Sequence, residues 1–289
     1  MSERVCKADM GSDGAAVVDT YGYPVETTGN AVLDILEHRS STRAFARDDD
    51  DRPVAVTDEQ RAAILHAASR APSAGAMMMY SIVSIREKAT LDRLADLCDH
   101  QPMIAKRPAL IFVVDYAKWI DLFEHVGCFE PEFVERTGKS PRRAPGLGDF
   151  AIAAQDAVIA AQNAVVAAEA LGLGSCYIGD IVENAEEVAE LLDLPPYSMP
   201  LSMLIIGTPR KERPAIAHPV VNLVHEERYC RADAATMDAQ VAEMDKMFRP
   251  HAREVGERVV DIYTRKHTSP FMAEMSRSME WWFKNWLGK

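Results

Sequence analysis

Residues 37–45 read Glu37-His38-Arg39-Ser40-Ser41-Thr42-Arg43-Ala44-Phe45, with two arginines and two serines inside five positions. That set suits an anionic, oxygen-rich ligand: arginine offers a planar fork of donors matched to phosphate, and serine adds short neutral hydrogen bonds. The same run has a plainer explanation, because basic residues often end a surface helix where they offset the negative end of its dipole. Two further segments bear on the choice. Ala71-Pro72-Ser73-Ala74-Gly75-Ala76-Met77-Met78-Met79-Tyr80 lies between a helical stretch and a β-like run. Gly172-Leu173-Gly174-Ser175-Cys176-Tyr177-Ile178-Gly179-Asp180-Ile181 follows the longest helical pattern in the chain.

These segments need elements to position them. Apolar periodicity predicts helices over 30–38, 58–70, 89–98, 148–171 and 184–193. Short β-branched or apolar runs predict strands at Ser81–Ile85, Ala109–Asp115, Ser175–Ile178 and Met199–Gly207. Gly172 and Gly174 are expected to end the long helix through the left-handed conformation glycine tolerates. Pro195-Pro196 stops the last helix. Residues 130–148, rich in Pro, Arg and Gly, read as a mobile surface loop of the kind that often lies over a binding site. Alanine, valine and isoleucine occupy most of the circumference of the 149–171 helix, which predicts burial on nearly all faces. A helix sandwiched in an α/β core or a helix shared across a dimer interface would each explain that.

The chain has 289 residues, enough for one large domain with an appendage or two small domains. Its formal net charge of −12 argues against nonspecific binding to nucleic acid or an anionic membrane. The apolar stretch 150–171 carries Gln155, Asp156, Gln162, Asn163 and Glu169, so a core helix is expected and not a membrane span. Residues 1–30 hold no secretory pattern. The 5 cysteines are scattered, with no Cys-x-x-Cys pair, which fits reduced thiols in the cytoplasm and argues against a disulfide framework or a zinc ribbon. No metal-ligand spacing, phosphate-binding P-loop, nucleophile elbow or Gly-x-Gly-x-x-Gly turn is present. The C-terminal segment ends in Met279-Glu280-Trp281-Trp282-Phe283-Lys284-Asn285-Trp286, too apolar to leave in water. Packing on the chain's own core, packing across a subunit interface and a membrane-surface helix all remain open.

In this order and at these separations the three segments resemble the nitroreductase family of flavin enzymes, over roughly residues 29 to 229. Met77-Met78-Met79-Tyr80, with Asp99 to Ala105, is similar to a branch common in anaerobic bacteria. The resemblance implies an α+β, three-layer α/β/α fold. A central mixed or antiparallel sheet would be flanked by helices, with a long buried central helix and an intertwined homodimer binding FMN between subunits. It also implies an FMN-binding domain (29–230); outside it, the lack of sustained periodicity predicts an irregular N-terminal arm (1–28), and the helical pattern predicts a C-terminal helical extension (231–289).

Position by position, the resemblance places Arg39, Ser40 and Ser41 on the FMN phosphate and ribityl chain, and Arg43 nearer the pyrimidine edge. Positive charge there stabilises the anionic reduced ring. Pro72, Ser73, Ala74, Met77 and Met78 fall in the loop the second subunit contributes. Many members have an amide where Ala76 stands, so ring-edge hydrogen bonds pass to backbone groups here, and the methionines can pack on the ring. Tyr177, Ile178, Gly179 and Asp180 match the segment lying on one flavin face, although a tight turn explains Gly179 and Asp180 as well. Arg210, Lys211 and Arg213 are candidates to complete the phosphate site, with His218 a fourth. No side chain is implied as a nucleophile or proton donor.

The implied activity is an oxidoreductase passing hydride from NADPH or NADH through FMN to a small electron-poor acceptor, nitroaromatic- or quinone-like, with ping-pong kinetics. Two alternatives stay open: oxygen-dependent fragmentation of reduced FMN, as in dimethylbenzimidazole synthase, and a non-catalytic flavin-binding or sensing protein.

Overall fold

The structure, a computed structural model, describes residues 5–6, 29–49, 52–139, 143–210, 222–248 and 254–288. In chain order the elements begin with strand β1 (Val5–Cys6) and helices α1 (Ala31–His38) and α2 (Asp58–Ser69). Then come β2 (Tyr80–Ile85), α3 (Lys88–Leu97), β3 (Ala109–Asp115), α4 (Ala117–His125) and α5 (Pro131–Thr137). They are followed by α6 (Leu147–Ala170), β4 (Gly174–Ile178), α7 (Ala185–Leu191) and β5 (Ser198–Gly207). β6 (Arg231–Ala232), α8 (Ala234–Phe248), α9 (Glu257–Ile262) and α10 (Pro270–Trp286) complete the series.

The architecture is α+β. Its sheet has the order β2-β3-β5-β4 and is antiparallel throughout, which settles the mixed-or-antiparallel alternative. β3 is central, and Ala109 to Val114 are buried on both faces. A continuous apolar run, not an alternating one, is what such a position demands. The helices over 31–38, 58–69, 88–97, 147–170 and 185–191 and the four main strands lie where periodicity puts them, within a residue or two.

Two compact units divide the chain, one formed by residues 41–212 and 273–289, the other by residues 1–40 and 213–272. In the first, α6 lays Ala153, Ala157, Ala160, Ala161, Ala164 and Ala168 into the core, all fully buried. Alanine along that face lets helix and sheet approach closely, and its propensity favours the helix. α6 is long and apolar enough to cross a membrane by length and composition; the buried alanine face identifies it as a core helix. Among the described residues its other face stays exposed at Ile152, Val158 and Ile159, so burial on nearly all faces does not hold within one chain.

From Ala273 onward α10 packs on the same core. Trp282 and Trp286 are completely buried, and their indole N–H groups donate to Val182 O (2.9 Å) and Gly146 O (3.1 Å). Among the open alternatives for the tryptophans, the structure therefore shows packing on the chain's own core. Phe150 meets Trp286 and Phe283 edge-on, at centroid distances of 5.3 and 5.0 Å. Arg277 pairs with both Glu186 and Glu274, and Glu274 also accepts from the Asn184 N–H that opens α7.

Three expectations need correction. Residues 130–148 do not form a plain loop: α5 starts at Pro131 and ends at Gly138 in the left-handed conformation, the favoured asymmetry of proline at a helix start and glycine past its end. Gly174 does not end α6; Gly172, at φ +72°, does that, and Gly174 is the first residue of β4. Cys98, Cys128 and Cys176 are free, but Cys230 is disulfide-bonded, against the expectation of reduced thiols throughout. The expected arm, 1–28, falls outside the described residues except for β1, which pairs in parallel with β6.

Candidate functional site

Backbone pairing brings three of the candidate segments together. Ser41 bridges Ser175, and the Thr42 N–H donates to Ser175 O at 2.8 Å, so the run after α1 lies beside β4. A few residues on, the Ala46 N–H donates to Thr208 O (2.8 Å) and the Arg210 N–H to Ala44 O (3.0 Å). Ser41, Arg43, the Tyr177–Asp180 turn and Arg210 thus share one edge of the sheet. Lys211, Arg213 and His218 lie outside the described residues. Arg39 and Ser40 fall in the other compact unit, where Arg39 caps α1 by donating its N–H to Ile35 O.

Gly174 makes the docking of this run possible. A Cβ built there would stand 2.1 Å from Thr42 Oγ1 and 2.8 Å from Thr42 Cβ. Any side chain would push the run off β4. Thr42 itself is buried, and its hydroxyl finds no partner among the described residues. A cost of that kind is tolerated where the surrounding backbone fixes the position. Arg43 is exposed, yet close enough for its charge to act on Cys176. Burial nevertheless raises the pKa of the Cys176 thiol overall. Cys98, deeper in the core, is pushed up further by burial, so neither thiol is a nucleophile near neutral pH.

Tyr177 and Gly179 are exposed, Ile178 is buried, and the space around Gly179 is open. That leaves the backbone at Gly179 open. Asp180 accepts a hydrogen bond from Gln101 Nε2 and opens a short 3₁₀ turn, Gly179–Val182. Its carboxylate also raises the pKa of both buried thiols, so it looks inward as well.

The Pro72–Tyr80 loop is built differently. Gly75, Ala76 and Met78 all have positive φ, at 58°, 56° and 50°. For residues with a Cβ this conformation costs on the order of 1–3 kcal/mol each. The loop is held by Asp156, a buried carboxylate on α6 that accepts from the Ala74 N–H (3.0 Å) and the Met79 N–H (3.2 Å). Ser73 Oγ accepts from the Met78 N–H (3.1 Å), and Trp119 Nε1 donates to Met77 O (2.9 Å). Pro72, Ala74 and Met78 are exposed, Ser73 and Met77 half-buried, and Met79 buried. One of the three methionines is therefore a core residue, and the other two are available to a ligand or partner. Sequence reasoning missed Asp156 and Trp119 as supports; an aspartate amid the alanines at the middle of α6 was the available signal.

Among the described residues the edge thus offers the exposed cations Arg43 and Arg210 and open backbone groups. Such a set can hold an anionic, planar cofactor and leave the chemistry to it.

Comparison with known proteins agrees with the fold. Residues 36–208 match the model of the Nitroreductase family. The chain is 32% identical over 215 residues to an FMN reductase [NAD(P)H] from Bacillus subtilis, covering 73% of this chain and 79% of that protein. It is also 32% identical over 218 residues to an oxygen-insensitive NADPH nitroreductase from Salmonella typhimurium, covering 73% and 81%. The solved NADPH:FMN oxidoreductase from Vibrio harveyi, complexed with NAD+, superimposes with a TM-score of 0.66 at 25% identity, covering 86% of this chain and 97% of that one. The chain belongs to the nitroreductase family.

Proposed function

We propose that this chain is an FMN-dependent oxidoreductase that takes hydride from NADPH or NADH and reduces a small, electron-poor acceptor of the quinone or nitroaromatic type. The observation that carries the reading is the joining of Ser41, Arg43, Tyr177–Asp180 and Arg210 along one sheet edge in a chain of this family. The relatives named as FMN reductases and NADPH nitroreductases support the cofactor and the reductant.

The residues present fit FMN. Ser41 and Arg210 would hold the phosphate end, and Arg43 would place positive charge near the pyrimidine edge. The open backbone at Gly179 would lie against the ring. Bound FMN would supply hydride transfer, and the protein contributes placement and charge. Reductant and oxidant would take the same place beside the flavin in turn, as the family resemblance implies, and the oxidised nicotinamide leaving before the acceptor binds would give ping-pong kinetics. Initial rates with NADPH or NADH against a quinone should give parallel double-reciprocal lines; intersecting lines would overturn the single-groove account.

A homodimer is part of the proposal. Ile152 and Ile159 sit seven residues apart on one face of α6, with Val158 beside them, and all three are exposed. Covering them with a second copy would remove apolar surface at about 25 cal/mol per Å². The strained Pro72–Met78 loop, held from the same helix, would then be presented to the partner's flavin. The FMN-binding domain is taken as 29–230. A cytoplasmic setting is proposed as well: the free thiols of Cys98, Cys128 and Cys176 suit it, and the Cys230 disulfide speaks against it.

A further inference from the structure

Arg107 immediately precedes Pro108 and β3, and only 5% of its surface is exposed. Its guanidinium donates through Nη2 to Ala46 O (3.0 Å) and lies over the Phe45 ring, 5.1 Å from the centroid. No carboxylate pairs with it among the described residues. A buried charge without a counterion is costly, and burial together with the neighbouring Arg47 lowers its pKa. Gly207 allows this arrangement: a Cβ there would come within 2.9 Å of Phe45 and 3.3 Å of Arg107.

Arg107 lines two adjoining cavities of about 250 and 440 Å³, which share Pro53, Arg86, Arg107 and Pro108. The smaller has an apolar wall of Val54, Ile64, Leu110 and Ile206, and adds Arg61. The larger adds Arg47, Arg52 and Lys88. Several of these cations are already matched: Arg52 with Asp48, Arg86 with Asp58 and Lys88 with Asp92. Among the described residues Arg61 has no carboxylate partner, and it gives its hydrogen bonds to Ser84 Oγ at 3.2 and 2.8 Å. In a chain of net charge −12 this is a local concentration of positive charge against an apolar wall. Neither cavity includes a residue of the candidate flavin segments.

We propose that this cleft is a second ligand site, which binds a small amphiphilic carboxylate with its head on Arg107 and Arg61 and its body against Val54, Ile64, Leu110 and Ile206. A carboxylate accepts two parallel bonds from a guanidinium. The wall then removes the aliphatic or aromatic remainder from water. A bare anion would use the arginines and leave that wall idle, and a neutral hydrocarbon would leave Arg107 unpaired.

The test is calorimetric titration of octanoate, and separately of inorganic phosphate, into the full chain saturated with FMN. Octanoate should bind at one site per chain and phosphate at least tenfold more weakly. Arg107→Gln and Arg61→Gln should each weaken octanoate at least tenfold, about 1.4 kcal/mol, and Arg61→Gln should leave flavin content and melting temperature unchanged. Should Arg107→Gln fail to fold, Arg61→Gln decides, since Arg61 is half-buried and holds only a serine. No octanoate binding, equal binding of phosphate, or octanoate binding indifferent to the arginine substitutions would each overturn the proposal. So would binding that FMN abolishes, because that ligand would be in the flavin groove. A chain that takes up no FMN would sink the proposed cofactor without touching this cleft, which can then be titrated in the flavin-free protein.

Discussion

The Ser41–Arg43 run and the Pro72–Tyr80 loop are both candidate ligand segments, and they are held by opposite means. The first is fixed by backbone pairing to β4 and needs only that Gly174 lack a side chain. The second is bent into left-handed geometry at three positions and is held by side chains, the buried carboxylate of Asp156 with two bonds and Ser73 and Trp119 with one each. A segment fixed by pairing tolerates changes in its own side chains, whereas a segment fixed by a distant side chain fails with that side chain.

Removing the carboxylate should break the comparison most sharply. Asp156→Ala deletes two hydrogen bonds to a buried charged group, each contributing about 1.5–3 kcal/mol. Thermal unfolding should show a loss of about 3–5 kcal/mol, while Asp156→Asn, which keeps one acceptor, should lose less. Equal loss in the two variants would mean that the loop does not hang on those bonds. Gly174→Ala comes next. Overpacking of this kind costs typically 1–3 kcal/mol, and FMN should be retained poorly. Adding Thr42→Ala to Gly174→Ala should recover part of the loss in a double-mutant cycle; strict additivity would contradict the steric account. Arg39→Ala should weaken FMN binding by about 1.5–3 kcal/mol if its guanidinium pairs with phosphate. Unchanged affinity would make it only the residue that caps α1.

The smallest effect concerns α10. Arg277 holds Glu274 down to about 2 and also lowers Glu186. Folded values below the ordinary carboxylate range mean that these groups stabilise the docked helix above about pH 4.5. The contribution is lost as pH falls from there toward 2. Tryptophan emission should shift to the red over that window, less steeply in Glu274→Gln. Identical curves would show that the ion pair does not contribute to docking.

The comparison also explains what was legible in the sequence. Repetition within one element was plain: the apolar run of β3, the alanine-rich face of α6, and the need to bury the terminal tryptophans. α4 and α5 were not. α4 carries Lys118, Asp121 and Glu124 in only nine residues, and α5 sits in a Pro- and Arg-rich stretch whose capping signals, Pro131 and Gly138, were present but overridden by composition. Gly174 and Asp156 were visible as residue types, but their roles depend on Thr42 and on the loop at 74–79, far away in sequence. A glycine required for close approach looks the same, in one sequence, as a glycine that ends a helix.

The central claim is that the exposed edge around Arg43 and Gly179 holds a redox-active flavin. The visible spectrum of the purified protein, before and after anaerobic NADPH or NADH, tests it most directly. Two flavin bands that bleach on addition of the reductant are the predicted result. A colourless protein that also fails to take up added FMN would contradict the account and, with it, the roles assigned to Arg39, Ser41, Arg43 and Arg210.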